Sequence, residues 1–249
     1  MEIDKFIHSH SSANQFMANK SAWLYKYAFK GKFPTWGAMA RGLTSEIGAY
    51  YILDRSVKFK DRDAEKFMRR YFKRKSFVPN PTEEDNSILI AKNFVKALQE
   101  RQLTKVKSYQ DKFIVQPNEA KKKYGLKYGI LGYTDFTFDN VIVDTKAKAR
   151  LDPIRAGEIR QQALYSKMMN KKCSILTATP KKYRFDDIHP VDVEQGFEES
   201  IMLFKTIEKF MELIDTKENA VKITPLNTDD WYFDDVSRKV AKEIWLKNQ

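Results

Sequence analysis

The sequence predicts an α/β fold with a mixed central β-sheet flanked by helices and preceded by a helical section. Three observations carry this. Helix-period apolar patterns dominate residues 1–110, short strand-like runs fill 111–190, and long amphipathic patterns return over 191–249. Val141-Ile-Val143 is a short apolar run bounded by the turn Asp139-Asn140, and Cys173 to Thr179 is another. A helical pattern separates those runs, so they are expected to pair in parallel through a right-handed crossover. No internal repeat, low-complexity tract or linker interrupts the chain, and one domain over 1–249 is expected.

The elements follow in order. Ser12 and Gln15 fit a capping box, so a first helix is expected within 9–29, with Ala13, Phe16, Met17, Leu24, Tyr27 and Ala28 on its apolar side. The stretch from Gly31 to Pro34 ends it. A second helix is predicted over about 36–55, burying Leu43, Ile47, Tyr50, Tyr51 and Ile52. Glu46 shares that face. It is either an acid at the edge that reaches water, or one that points into a cleft and holds a cation. Residues 58–75 are strongly basic: Lys58, Lys60, Arg62, Lys66, Arg69, Arg70, Lys73, Arg74 and Lys75 alternate with Phe59, Phe67, Tyr71 and Phe72. The charges form either a solvated helix face or a track for a phosphate backbone, and the rings are assigned to the core. Thr82 is the expected N-cap of the next helix, which runs to about Leu103 on Ile88, Leu89, Ala91, Val95 and Leu98.

Strands at 113–117, 127–138 and 141–144 are predicted as an antiparallel meander, with Lys121 to Gly125 as a basic turn. Lys148, Arg150 and Arg155 then make a basic loop. A helix over 155–170, strands over 173–179 and 183–185, and helices over 191–215 and 236–245 complete the chain.

Composition bounds the function. The formal net charge of +12 favours a polyanionic partner, foremost nucleic acid. A single cysteine, Cys173, excludes an intrachain disulfide and any multi-cysteine zinc or iron–sulfur site. No stretch has the length of a membrane span and no signal peptide is evident, so an intracellular, cytoplasmic protein with no membrane partner is expected. No glycine-rich phosphate loop is present, which speaks against use of ATP. His8, His10 and His189 are too scattered to form a ligand set, and the first two lie near an end expected to be flexible.

The chemistry concentrates at Asp135, Asp144 and Lys146. Asp144 and Lys146 are two apart on a strand and point to one face. Together they read either as a divalent-metal site with a positioned lysine or as a cross-strand salt bridge. Gln161 and Tyr165 sit four apart on the following helix.

Asp135 followed by Asp144-Thr-Lys146 has the D-x(n)-(D/E)-x-K spacing and resembles the PD-(D/E)XK nuclease superfamily, with Thr134 where the family name has proline. Gln161 with Tyr165 is similar to the additional motif of its RecB-like branch; Gln162, three before Tyr165, is the alternative glutamine. Ser9-His-Ser-Ser and Trp23 to Tyr27 resemble that branch's N-terminal helix, and Arg41-Gly-Leu-Thr-Ser-Glu46 its first acidic motif. Trp231 to Asp235 and Ala241 to Trp245 resemble the ends of phage-encoded members.

The resemblance implies a restriction-endonuclease-like core and a divalent-metal-dependent DNA exonuclease of phage type, acting in recombination, replication or degradation of host DNA in the host cytoplasm. Glu46, Asp135, Asp144 and the Thr145 carbonyl would hold Mg²⁺ or Mn²⁺. Lys146 would position water or stabilise phosphoryl oxygens, and Gln161 and Tyr165 would hold substrate or orient the acids. Lys66, Arg69, Arg70, Lys73, Lys148, Arg150 and Arg155 are the expected DNA contacts. A homo-oligomer and a single-strand-binding or annealing partner fit the lambda-type members. Glu46 stands where iron–sulfur members carry histidine, and their four cysteines are missing. The rival readings are an endonuclease or single-strand nuclease on the same core, and a catalytically silent DNA-binding accessory protein.

Overall fold

The computed structural model describes residues 6–54 and 63–248. Helices α1 (His10–Ala18) and α2 (Lys20–Trp23), a π-helical turn (Leu24–Ala28), α3 (Gly37–Leu53), α4 (Ala64–Lys75) and α5 (Pro81–Glu100) precede strand β1 (Ser108–Val115). Then come α6 (Pro117–Tyr124), β2 (Ile130–Thr137), β3 (Val141–Ala147), α7 (Ala156–Met169), β4 (Lys172–Ala178), β5 (Tyr183–Asp187), α8 (Pro190–Leu213), α9 (Lys217–Ile223) and α10 (Asp235–Lys247). Among the described residues the strands form one five-stranded sheet in the order β1-β2-β3-β4-β5. The sheet is mixed: β2 with β3 and β4 with β5 are antiparallel, while β3 and β4 run parallel from Val141 opposite Lys172 to Ala147 opposite Ala178. The fold is therefore the expected α/β arrangement, with α7 as the crossover between β3 and β4. No described helix is long and apolar enough to cross a membrane.

The chain divides into two compact units, one of Met1–Pro34, Phe113–Gly132 and Phe197–Gln249, the other of Thr35–Lys112 and Tyr133–Gly196. In the first, the opening helix starts earlier than its sequence suggests. Ser9 and Ser12 form the capping box, each side chain taking the other's backbone N–H, in place of Ser12 and Gln15. Asn19 then breaks the helix: its side chain accepts from Ala22 N and donates to the Asn227 carbonyl, so the expected single helix becomes three short segments. His8 is not at a loose end. It is fully buried, bonded through Nε2 to Glu208 at 2.9 Å and stacked on Phe204. The expected basic turn at Lys121–Gly125 is the end of helix α6. Pro117 opens that helix, Gly125 closes it at φ 69°, and the three lysines face its negative C-terminal dipole.

The second unit holds a core of its own. Ile90, Phe94 and Leu98 of α5 meet Phe136 of β2, Val143 of β3 and Leu176 of β4. Asn80, not Thr82, caps α5, since Pro81 takes its first position and Asn80 Oδ1 accepts from Glu83 N at 3.1 Å. The helix stops at Glu100, before Leu103, and Leu89 is exposed. Helix α3 buries Ala40, Thr44, Ser45, Gly48 and Ala49 most deeply; of the larger side chains its periodicity offers, Tyr50 and Ile52 are half-buried against the core and Leu43 is exposed. The reason is close approach. Ser45 Oγ donates to the Ser87 carbonyl of α5 at 3.1 Å. A Cβ on Gly48 would lie 2.1 Å from Met68 Sδ and 3.3 Å from Ala91 Cβ.

That close approach makes Gly48 a sensitive point. Gly48→Leu is expected to cost about 1–3 kcal/mol through overpacking, read as a lower urea midpoint. An unchanged midpoint would mean that α3 is not seated tightly on α4 and α5.

Candidate active site

Strand β3 places the central residues. Ile142 and Val143 are fully buried, and the next residue, Asp144, is buried as well at 1% exposure. Phe136 pairs with Val143 across the β2–β3 ladder, and one residue on from that pair the chains carry Asp135 and Asp144. Asp135 Oδ2 accepts two hydrogen bonds from Thr145, from its N–H at 2.7 Å and its hydroxyl at 2.9 Å. Lys146 Nζ lies 2.5 Å from Asp144 Oδ2 and donates to Gln161 Oε1 at 2.9 Å. Gln161 Nε2 in turn donates to the Tyr165 hydroxyl at 3.4 Å. A polar chain thus runs Asp144–Lys146–Gln161–Tyr165 from the strand to α7. Gln162 stays outside it: it is fully buried, and neither of its amide atoms has a hydrogen-bond partner among the described residues.

Glu46 comes to the same place from α3. It is half-buried, and its Oε1 accepts from the Gln110 side-chain amide while Tyr109 adds a second hydrogen bond. Arg41, one turn earlier, fastens α3 to the sheet. Its guanidinium is 2.6 Å from Glu83 Oε2 and donates to the Ala147 carbonyl, just past Lys146. Tyr109 and Gln110 lie just before the first strand expected from sequence, which is why that expectation does not include them. The alternation of Phe113-Ile-Val115 was the available signal, and it marks only the far end of β1.

Burial governs the electrostatics. It pushes the Glu46 carboxyl up to about 7, against hydrogen bonds from Gln110 and Tyr109 and with help from the Asp144 charge. Asp135 is raised by burial, then by the charges of Glu46 and Asp144. Asp144 is raised by burial, with Lys146 opposing. Burial alone would lower the Lys146 ammonium, but Asp144 and Asp135 outweigh it and hold the group protonated. Tyr165 is raised by burial to about 12.

The donor set suits a hard divalent cation: carboxylate oxygens that raise one another's pKa, with Asp144 buried at the strand end. As they stand, each carboxylate is turned to its own partner, and no three His, Cys, Asp or Glu side chains among the described residues are gathered to hold a metal ion.

The expected DNA-binding residues differ in their surroundings. Lys66, Arg70 and Lys73 lie on α4, with Lys66 and Lys73 exposed and Arg70 exposed beside them. Arg69 is clamped by Glu65, Glu84 and Asp85, at 3.0, 3.3 and 2.7 Å. Lys148 pairs with Glu158 at 2.7 Å, and Arg150 with Asp152 at 2.8 Å. Arg155 is exposed at the start of α7, where its N–H donates to Glu158. Lys58, Phe59, Lys60 and Arg62 lie outside the described residues. Helix α4 borders the site: burial and then the Glu46 charge raise the Tyr71 pKa, and the Arg74 and Lys75 cations lie over its ring.

No family model and no curated protein sequence matches the chain. Among solved structures, a candidate exonuclease from Eubacterium rectale is similar over 96% of this chain and 89% of its own, with 12% identity and a TM-score of 0.56. At that identity the likeness shows the fold: a mixed sheet flanked by helices with a helical N-terminal part, as in a nuclease-like core. The protein SSO0001 aligns over 66% of this chain and 88% of its own at 13% identity, with a TM-score of 0.32, and carries no argument.

Two outcomes follow from the electrostatics. Glu46 holds its proton up to about 7 in the folded state against 4.5 as its ordinary value, so the folded chain binds more protons across that window. Without divalent cation, stability should therefore fall as pH rises from 4.5 through 7, and Glu46→Gln should flatten the fall in melting temperatures measured in EDTA. Equal slopes would mean that the Glu46 carboxyl ionises unhindered. Separately, Gln162→Met should stabilise the fold by about 1 kcal/mol or more, because an apolar side chain of similar size removes two unbonded buried groups. A lower urea midpoint would show that the amide is satisfied after all.

Proposed function

We propose that the chain is a divalent-metal-dependent nuclease that hydrolyses DNA phosphodiester bonds, acting as an exonuclease. The observation that carries this reading is the strand end where Asp135 and Asp144 meet, with Lys146 held between Asp144 and Gln161. A structural salt bridge needs only one acid and one base. Here Asp135, Asp144 and Glu46 feel one another's charge, each with its pKa raised, an arrangement that costs folding stability and that is found most often at functional sites.

Glu46, Asp135, Asp144 and the Thr145 carbonyl would hold Mg²⁺ or Mn²⁺. When bound, such a cation polarises the scissile phosphate and lowers the pKa of its water. The remaining work falls to the protein's own groups. Lys146 keeps its proton at neutral pH, so it serves as a hydrogen-bond donor and positive charge, not as a general base. Its place beside Asp144 suits it to orient the attacking water and to stabilise negative charge building on the phosphoryl oxygens. Gln161 fixes the ammonium by accepting a hydrogen bond from it. Tyr165 remains a neutral phenol and steadies Gln161. The exposed cations of α4 would lie along the DNA backbone, and the likeness of the C-terminal motifs to phage-encoded members favours a role in recombination, replication or degradation of host DNA.

The test is cleavage of end-labelled linear duplex, single-stranded and closed circular DNA with Mg²⁺, Mn²⁺ or EDTA. Linear duplex should be degraded from its ends only with divalent cation. Cutting of closed circles would make the enzyme an endonuclease, and full activity in EDTA would sink the metal mechanism. Asp144→Ala should reduce cleavage by a factor on the order of 10²–10³ while DNA binding persists. Cleavage at the wild-type rate would mean that the site lies elsewhere. Because Arg69 is tied to three carboxylates, the informative pair on α4 is Lys66→Glu with Lys73→Glu, both exposed. It should weaken DNA binding and lower the salt slope by roughly one for each phosphate no longer neutralised. An unchanged slope would return that face to plain solvation.

A further inference from the structure

Gln110 has a backbone that its element does not ask for. It sits within β1 at φ 52°, in the left-handed region. The other described non-glycine residues with positive φ, Lys30, Gln102 and Asn170, all lie outside strands. A residue with a Cβ adopts this conformation at a cost, and such outliers persist where the surroundings fix them. The side chain is exposed, so core packing does not fix it.

The left-handed turn has one visible effect. Successive side chains on a strand point to opposite faces. Tyr109 and Gln110 are successive, yet both hydrogen-bond the same carboxylate, that of Glu46. Breaking the alternation at Gln110 is what brings the second donor round. Tyr109 is itself immobilised: its ring stacks on Tyr50 at 4.3 Å with an 8° interplanar angle and lies 5.6 Å from Phe136. Glu46 is thus gripped from the sheet by one rigid phenol and one aimed amide.

We propose that Gln110 is a positioning residue whose left-handed backbone aims its amide at Glu46 and fixes that carboxylate for a divalent cation. This rests on the reading of Glu46 as a cation ligand. It differs from a structural role in a measurable way, because glycine adopts the left-handed conformation freely.

The experiment compares wild type with Gln110→Gly and Gln110→Asn, measuring Mn²⁺ affinity by calorimetry and melting temperature in EDTA. Gln110→Gly should bind Mn²⁺ about tenfold more weakly, the scale on which partners of metal ligands act, with its melting temperature unchanged or raised. Gln110→Asn also tolerates the backbone but is one methylene short of Glu46, and it should follow glycine. In a Glu46→Gln background, Gln110→Gly should have no further effect on affinity. Wild-type Mn²⁺ affinity in Gln110→Gly would overturn the proposal, as would an affinity loss accompanied by a matching fall in melting temperature. A wild-type chain that binds no Mn²⁺ would overturn the cation reading of the whole site, and this inference with it. A cation-binding wild type beside an unaffected Gln110→Gly would overturn this inference alone.

Discussion

Negative charge held away from water at the end of β3 is the constraint around which the second unit is arranged. Asp144 is buried at a point where the strand has apolar side chains before it and a lysine after it. Asp135 and Glu46 add to the same field. An isolated carboxylate in such a place would take up a proton. The surrounding elements answer with donors: Thr145 for Asp135, Lys146 for Asp144, and Tyr109 with Gln110 for Glu46. A further layer orders those partners, since Gln161 holds Lys146 and Arg41 joins α3 to the carbonyl of Ala147.

The parallel pairing of β3 with β4 makes this arrangement possible. A parallel neighbour requires a crossover, and the crossover here is α7, which returns along the sheet with Gln161 and Tyr165 toward Lys146. Gly196 lets α8 lie against α7, where a Cβ would come within 2.9 Å of Ala163 Cβ. The same topology decides the chemistry of Lys146. Two carboxylates keep it charged, so it can stabilise an anion and orient water but has no free electron pair to offer as a base.

Much of this is legible in the residues, for physical reasons. Apolar runs of strand length flanking a helical pattern identify β3, α7 and β4, because burial on both faces demands them. The pair Asp144 and Lys146 can be placed on one face from period alone. Other parts are hidden. Periodicity assigns α3 a face of its largest apolar residues, and Tyr50 and Ile52 do pack on the core, but the closest contact is made by Ala, Ser and Gly, which a hydrophobic pattern ranks low. Three consecutive lysines disguise α6 as a turn, although Pro117 and Gly125 bracket a helix. Ser9 and Asn80 displace Ser12 and Thr82 as caps by a few residues, the usual latitude at helix ends. Arg69 belongs to a run of charges in the sequence, and only folding supplies Glu84 and Asp85 as its partners. Tyr109 and Gln110 escape notice because a left-handed residue erases the period by which a strand is recognised.

The seat of α3 has a further consequence. Alanine, serine and glycine let α3 approach its neighbours closely, while its long side chains tie it down: Arg41 reaches Glu83 and the Ala147 carbonyl, and Tyr50 stacks on Tyr109. Glu46 is thus carried between two ties, Arg41 one turn before it and Tyr50 one turn after it, so a substitution at the seat of α3 is felt at this carboxylate before it is felt at the strands.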